Sequence, residues 1–262
     1  MIEFFKKQSD PIRDYKVYPS PSHWSLGNSG LVISALRRST APLTIYVHIP
    51  FVSASCVELL VAEMDLTDVA HNRPVVQIHW GGAGASRLYP RLVDDLLSSI
   101  VGRFSISVGT DLRVEINRPE FVKRAGADLI SFGIGAISHV GHTLAQNYLE
   151  LSSYEDAVGS GRLPVFRGYV LSRDDLIRGT IIETCTRSGA ISKDDIERRF
   201  RIKFDEYFKR ELASLEALEH DGLVEDCTSR TIRITCAGRV FIRAVVRIFD
   251  AFEHAGAVAK AV

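Results

Sequence analysis

Cysteine is scarce in this chain: Cys56, Cys185, Cys227 and Cys236 lie far apart among 262 residues. That spacing speaks against a disulfide framework and for reduced thiols, with the cytoplasm as the expected compartment. No stretch approaches the roughly 18 uninterrupted apolar residues of a membrane span. The opening Met1-Ile-Glu-Phe-Phe-Lys-Lys-Gln-Ser-Asp10 turns polar within six positions, so nothing in it directs export. No G-x-S-x-G frame surrounds any serine, which removes the usual setting of a hydrolase nucleophile. Histidines are few and scattered. His139 and His142 stand three apart but bring no further ligands of the kind zinc needs, so no metal site is expected.

A surplus of basic charge is missing as well. From Leu171 to Val262, 16 Lys and Arg face 16 Asp and Glu, and the only local excess is Arg198-Arg199-x-Arg201-x-Lys203. Nucleic-acid binding needs a basic surplus on the contact face, so a solvated helix face is the simpler account of that run. What the chain does have is ordinary globular material, 46% hydrophobic and 24% charged, with enough length to bury a core.

Three regions are expected. Residues 1–42 form an arm with short helical stretches, kept partly extended by Pro11, Pro19 and Pro21. Residues 43–170 read as α/β. Strands are predicted over Leu43–Ile49, Val75–Trp80 and Leu112–Ile116, with helices over Leu92–Val101 and Phe121–Ala125. Leu129–Ile137 reads as one more strand, glycine-rich as befits a backbone that passes close to a ligand or a neighbour. Residues 171–262 look α-rich. Ser192-Lys-Asp-Asp195 resembles a capping box, and Phe204–His220 spaces Phe208, Leu212, Leu215 and Leu218 along one helical face. Gly222 stops that helix, Leu223-Val224 and Thr231–Ile234 pair as a hairpin, and a last helix runs from about Gly238 to His254. The order is that of a winged helix.

The most informative stretch is Tyr46-Val-His-Ile-Pro-Phe-Val-Ser-Ala-Ser-Cys56-Val-Glu-Leu59. It resembles the loop of radical S-adenosylmethionine (SAM) enzymes in which YVHIPF runs into C-x-x-x-C-x-x-C. Here those cysteine positions hold Val52, Cys56 and Leu59. Further blocks are similar to oxygen-independent coproporphyrinogen III oxidase in particular. They include Gln77-Ile-His-Trp-Gly81-Gly82, Val114-Glu115-Ile-Asn-Arg-Pro119, Asp128-Leu-Ile-Ser-Phe-Gly133-Ile-Gly135, Ala145-Gln-Asn147, Arg167-Gly168, Ser172-Arg173-Asp-Asp175, and Glu211 through Gly222 to Arg243. After Gly126 the chain passes at once to a block that lies well past the middle of the family's barrel, so later βα units are missing.

The resemblance implies an α/β fold: a partial, truncated radical-SAM-type βα barrel with an N-terminal arm and a C-terminal winged-helix-like domain. In that family three thiolates hold a [4Fe–4S] cluster. Cys56 is the single cluster-ligand position left here, and neither valine nor leucine replaces a soft, charged ligand, so no cluster is expected. Tyr46, Gly81, Gly82 and Glu115 match SAM-contacting positions and are the candidates for residual SAM binding. Arg173 and Arg178 are the candidates for holding a ligand's carboxylate or phosphate. The expected function is that of a degenerate relative without radical SAM activity, with a binding or regulatory role around porphyrin and haem metabolism and a tetrapyrrole as its ligand. An active or partner-rescued oxygen-independent coproporphyrinogen III oxidase, and a winged-helix-type nucleic-acid or protein interaction module, are the alternatives. The open edge of an incomplete sheet calls for a homodimer or a full-length paralogue.

Overall fold

The computed structural model describes residues 17–27, 29–50, 53–70, 72–82, 84–114 and 126–253. Among these the chain divides into two units. Trp24–Leu171 form one, and the described residues up to His23 group with those from Ser172 onward in the other. The arm expected over 1–42 is therefore not a body of its own, because residues 24–42 build into the α/β unit.

That unit runs β1 (Ser25–Leu26), α1 (Ser29–Arg38), β2 (Leu43–His48), α2 (Ala54–Asp65), β3 (Pro74–Gly81), α3 (Pro90–Arg103), β4 (Ser105–Val114), β5 (Asp128–Phe132), β6 (Ile137–Val140), β7 (Thr143–Asn147), α4 (Leu151–Gly159) and β8 (Val165–Val170). All eight strands share one sheet in the order β1-β8-β7-β6-β5-β2-β3-β4. The centre, β5-β2-β3-β4, is parallel, and β6, β7, β8 and β1 continue it in antiparallel pairs. The sheet is not closed into a barrel among the described residues, as expected for a truncated one.

Side-chain alternation gives the two faces opposite characters. Leu43, Ile45 and Val47 of β2, Ile78 and Trp80 of β3, and Ile130 and Phe132 of β5 all bury into one apolar core. Leu60 and Met64 of α2 and Leu96 and Ile100 of α3 complete that core. The other face carries Thr44, Tyr46 and His48, in register with Gln77, His79 and Gly81. Parallel strands covered on both sides usually read as continuous apolar runs. Here one face is polar.

At the start of β5, buried Asp128 forms an ion pair with buried Arg73, whose Nε donates to the Ala41 carbonyl at 2.8 Å. Burial pushes the Asp128 carboxyl up, but Ser39, the Gly141 N–H and Arg73 outweigh it and hold the group below its ordinary value. The ion pair ties the N-terminal ends of β3 and β5, and the bond to Ala41 adds that of β2.

One expectation needs correction here. Leu129–Ile137 is not one strand: β5 ends at Phe132 and β6 begins at Ile137, antiparallel to it, because Gly133 and Gly135 both take positive φ and reverse the chain. The end of the stretch that resembles a cluster-binding loop, Cys56–Leu59, lies in the helix α2. Ser53 caps it by accepting from the Cys56 N–H at 3.0 Å. The predicted helix over Phe121–Ala125 lies outside the described residues.

The second unit contains α5 (Arg173–Ser188), β9 (Ala190–Ser192), α6 (Lys193–Phe200), α7 (Phe204–Tyr207), α8 (Lys209–His220), β10 (Val224–Glu225), β11 (Thr231–Ile234), α9 (Cys236–Val240) and α10 (Ile242–Ile248). Ser192 caps α6 through the Asp195 N–H, and Ser172 with Asp175 forms a full capping box on α5. The hairpin β10–β11 gains a third strand, β9, that the sequence pattern left unmarked. The result is a winged-helix arrangement around Ile177, Ile181, Phe204, Phe208, Leu215, Ile232, Val245 and Phe249. The long helix expected over Phe204–His220 is two helices, broken at Phe208, and the last one is broken at Phe241. Both phenylalanines sit near φ −105°, ψ 28°, outside helical geometry.

Candidate functional site

The C-terminal ends of β2, β3 and β5 meet in the α/β unit, where open parallel sheets place their ligands. Strand β2 leaves this layer between two glycines. Gly82 follows β3 and Gly133 follows β5, at φ 105° and 109°. A Cβ on Gly82 would stand far inside van der Waals contact of the Ile49 carbonyl, and one on Gly133 would overlap the His48 carbonyl. Backbone bonds close the arrangement: Ile49 N donates to Gly81 O at 2.7 Å, and Gly84 N to Ile49 O at 2.8 Å. The glycines expected to line a SAM site thus lie against β2.

Tyr46 is half-buried on the polar face. Its hydroxyl is 3.4 Å from His48 Nδ1, and its ring centroid is 5.6 Å from that of His79. Glu115 lies outside the described residues, as does Val52. Of the three cluster positions, Cys56 and Leu59 are described. They stand one turn apart on α2 and face the same small hollow.

That hollow, of about 10 Å³, is lined by His48, Pro50, Cys56, Leu60, Gly133 and Tyr154, with Leu59, Ile134 and Leu151 around them. Its scale is that of a single water molecule's probe sphere. Cys56 is buried, and burial pushes its thiol above the ordinary range, which disfavours the thiolate a metal requires. Among the described residues, no group of three or more His, Cys, Asp and Glu is placed to hold a metal ion. One neutral thiol beside a leucine is not a ligand set for a [4Fe–4S] cluster, so the residues present do not fit that group.

Beneath the hollow sits a group the sequence pattern did not single out. Glu63 of α2 is 2% exposed, and three donors converge on its carboxylate: Tyr154 Oη at 2.5 Å, Asn147 Nδ2 at 2.6 Å and Gly133 N at 2.8 Å. Asn147 also donates to the Gly133 carbonyl at 2.9 Å. Burial is the dominant influence on Glu63 and pushes its pKa up to about 7, against the pull of the three donors. The carboxyl bolts α2 to the turn after β5, to the end of β7 and to α4. One signal was available: Glu63 falls in the helical stripe of Cys56, Leu60 and Met64, where an acid must be either buried or misplaced.

Arg173 and Arg178 belong to α5 in the second unit. Arg173 donates to the Phe200 carbonyl. Arg178 is engaged three ways, with Asp174 at 2.8 Å, Glu211 at 2.9 Å and the Phe249 carbonyl at 3.1 Å, and it lies 5.3 Å over the Phe208 ring. A ligand carboxylate would have to displace two acids from that guanidinium. The basic run of α6 is engaged locally too. Arg198 pairs with Asp195, Lys203 with Glu206, and Arg199 lies over Phe200. Arg230 and Arg233 of the wing pair with Asp194, Glu197 and Asp226. Phosphate contacts draw on unneutralised cations, and Arg198, Lys203, Arg230 and Arg233 each have an acid.

No helix among the described residues is long and apolar enough to cross a membrane. No protein-family model matches the chain. Curated relatives do. It is 34% identical over 130 residues to the oxygen-independent coproporphyrinogen III oxidase of Synechocystis, covering 48% of this chain and 28% of that protein. It is 38% identical over 127 residues to that of Thermostichus vulcanus, covering 48% and 39%. For the Escherichia coli protein the figures are 33% over 132 residues, 50% and 29%. The chain thus spans well under half the length of these relatives. In three dimensions it matches the solved structure of coproporphyrinogen III oxidase from Escherichia coli, a radical SAM enzyme. The TM-score is 0.81 at 17% identity, over 96% of this chain and 99% of that one. The chain is therefore a partial relative of the oxygen-independent coproporphyrinogen III oxidases, built on the fold of the Escherichia coli enzyme.

Proposed function

We propose that this protein is a degenerate coproporphyrinogen III oxidase relative that has given up radical SAM chemistry and keeps a binding or regulatory role in tetrapyrrole metabolism. The observation that carries the reading is the hollow at the end of β2. Of three cluster-ligand positions only Cys56 retains sulfur, it is buried and neutral on a capped helix, and Leu59 faces the same space. Radical SAM enzymes generate their oxidant at a reduced cluster. A site that cannot hold the cluster cannot begin that reaction. Binding of a tetrapyrrole would need no cluster, only an apolar, partly polar surface and cations for its carboxylates. The cytoplasm, where thiols stay reduced, suits the buried cysteines.

The test is anaerobic reconstitution of the purified protein with iron and sulfide, followed by iron and labile-sulfide analysis, and separate titrations with coproporphyrin, haem and SAM. The expected result is no stoichiometric cluster, no 5′-deoxyadenosine, and micromolar binding of a tetrapyrrole. Four irons per chain with SAM cleavage would overturn the reading in favour of a working enzyme. The same assay with a full-length oxidase present tests partner rescue. Restoring cysteine at Val52 and Leu59 is expected to recover iron binding without oxidase activity.

Association belongs to the same proposal. β4 is the last strand in the sheet order among the described residues, and it carries Val108 fully exposed and Leu112 at 49% exposure. Unpaired strand edges invite pairing. A homodimer, or a complex with a full-length paralogue, is expected in sedimentation. A strict monomer at high concentration, alone and with the paralogue, would remove it.

A further inference from the structure

On the polar face of the sheet, Arg167 is a cation with no acid beside it among the described residues. Arg167 of β8 is half-buried, and its Nε donates to Gln146 Oε1 at 2.7 Å. Gln146 is itself buried, and its Nε2 is held by the Gly135 carbonyl at 3.2 Å, which fixes the amide with its oxygen toward Arg167. The guanidinium also lies 5.6 Å from the centroid of the Phe166 ring. Neither partner is an anion. Other buried or half-buried arginines of this protein are treated differently: Arg73 has Asp128, and Arg178 has Asp174 and Glu211. Burial works against the charge on Arg167 and lowers its pKa, and among the described residues no acid offsets the effect. A half-buried guanidinium fixed through Nε, with its two terminal nitrogens unclaimed by any acid among the described residues, is a preorganised fork for a carboxylate.

Strand register shows what else shares its row. Arg167 pairs with Gln146, and Gln146 with Ile137. One step on from the Leu129–His139 pair, Ile137 faces Ser131, whose Oγ donates to the Ile137 carbonyl at 2.6 Å. Ser131 pairs with Tyr46, and Tyr46 with His79. Paired residues project from the same face, so Arg167, Tyr46 and His79 stand in one line across the sheet, opposite the apolar core. Arg167 and Tyr46 are four strands apart, about 19 Å along the sheet at roughly 4.8 Å per strand. Of the three, His79 is buried and stacked on Tyr46, while Tyr46 and Arg167 are half-buried, so a flat macrocycle with acidic side chains would lie against Tyr46 and place a carboxylate on Arg167.

We infer that Arg167, oriented by Gln146, is the carboxylate anchor of a tetrapyrrole that lies across the polar face of the sheet. This inference rests on the tetrapyrrole-binding reading above. It places the acid-binding arginine on β8, within the same unit as the strand ends, whereas Arg173 and Arg178 serve contacts of their own.

The test measures coproporphyrin binding by absorbance or fluorescence titration to the full chain and to Arg167→Gln, Arg167→Lys and a control, Arg187→Gln, whose arginine is exposed and paired along α5. Thermal melts verify that each variant folds. A charge-assisted hydrogen bond contributes about 1.5–3 kcal/mol, so Arg167→Gln is expected to weaken binding about ten- to hundredfold. Arg167→Lys should lie between it and the parent, because it keeps the charge and loses the fork. The tetramethyl ester of coproporphyrin, which lacks the carboxylates, should bind the parent and Arg167→Gln with the same weaker affinity. Parent-like coproporphyrin affinity in a folded Arg167→Gln protein overturns the anchor while leaving tetrapyrrole binding standing. No coproporphyrin binding by the parent overturns both.

Discussion

Glu63 offers the sharpest physical test of the architecture around the hollow. Its pKa of about 7 in the folded protein compares with an ordinary value of 4.5, and the cause is burial. A carboxyl whose folded-state pKa is raised binds its proton more tightly in the native state than in the unfolded one. Its stabilising contribution is therefore fully present below about pH 4.5 and is lost as pH rises through 7. A difference of that size corresponds to about 3 kcal/mol at 1.36 kcal/mol per pH unit. Glu63→Gln removes the titration and keeps the shape. At Glu63 the three donors Tyr154, Asn147 and Gly133 share two acceptor oxygens, whereas glutamine offers one oxygen and one amide. Below about pH 7 the parent's carboxyl is itself protonated and, like glutamine, pairs one strong acceptor oxygen with a donor, so the two proteins should be closest in hydrogen bonding there. Urea unfolding of both proteins at half-unit intervals from pH 4.5 to 8 measures this directly. The stability of Glu63→Gln relative to the parent should improve by about 3 kcal/mol across that range. A difference that stays flat with pH would refute a buried, titrating Glu63, and one that changes in the opposite sense would mean the three donors outweigh burial.

Arg73→Ala leaves Asp128 buried without its counter-ion and should cost about 3–5 kcal/mol, read from the urea midpoint at pH 7. Because Asp128 is held below its ordinary 3.8, its contribution is present above that pH and fades as pH falls through the depressed value. Acid unfolding of Asp128→Asn should accordingly be less steep than the parent's. Gly133→Ala forces a Cβ toward the His48 carbonyl at a φ of 109° and should lower stability by about 1–3 kcal/mol; a melting temperature equal to the parent's would mean that the close approach is not there. Thiol titration with Ellman's reagent should find one fast cysteine, Cys236, because Cys56, Cys185 and Cys227 are buried, and all four in denaturant. Two or more fast thiols in the native protein would contradict that packing.

The residues themselves determined a good deal. Alternation in Leu43–His48 and the β-branched run from Val75 were enough to place β2 and β3, since a two-residue period with one apolar face has few other solutions. The capping serines and the leucine spacing before Gly222 placed α6, α8 and the hairpin that follows. The run Tyr46-Val-His-Ile-Pro-Phe and the blocks after it pointed to a relative of the oxygen-independent coproporphyrinogen III oxidases from letters alone, and the similar proteins agree. Tertiary structure decided the rest. Whether Leu129–Ile137 is one strand or two depends on how Gly133 and Gly135 turn against the exit of β2, which local pattern does not encode. That Arg178 would be spent on Asp174 and Glu211, and Arg167 left with a neutral glutamine, depends on which elements pack together. Glu63 makes the same point most plainly. Its place in the stripe of Cys56, Leu60 and Met64 left it either buried or misplaced, and only Asn147, Tyr154 and Gly133, more than 60 residues away, decide for burial by surrounding it. Electrostatic consequences of burial belong to the assembled fold, because neighbours far apart in the chain set both the desolvation and the hydrogen bonds.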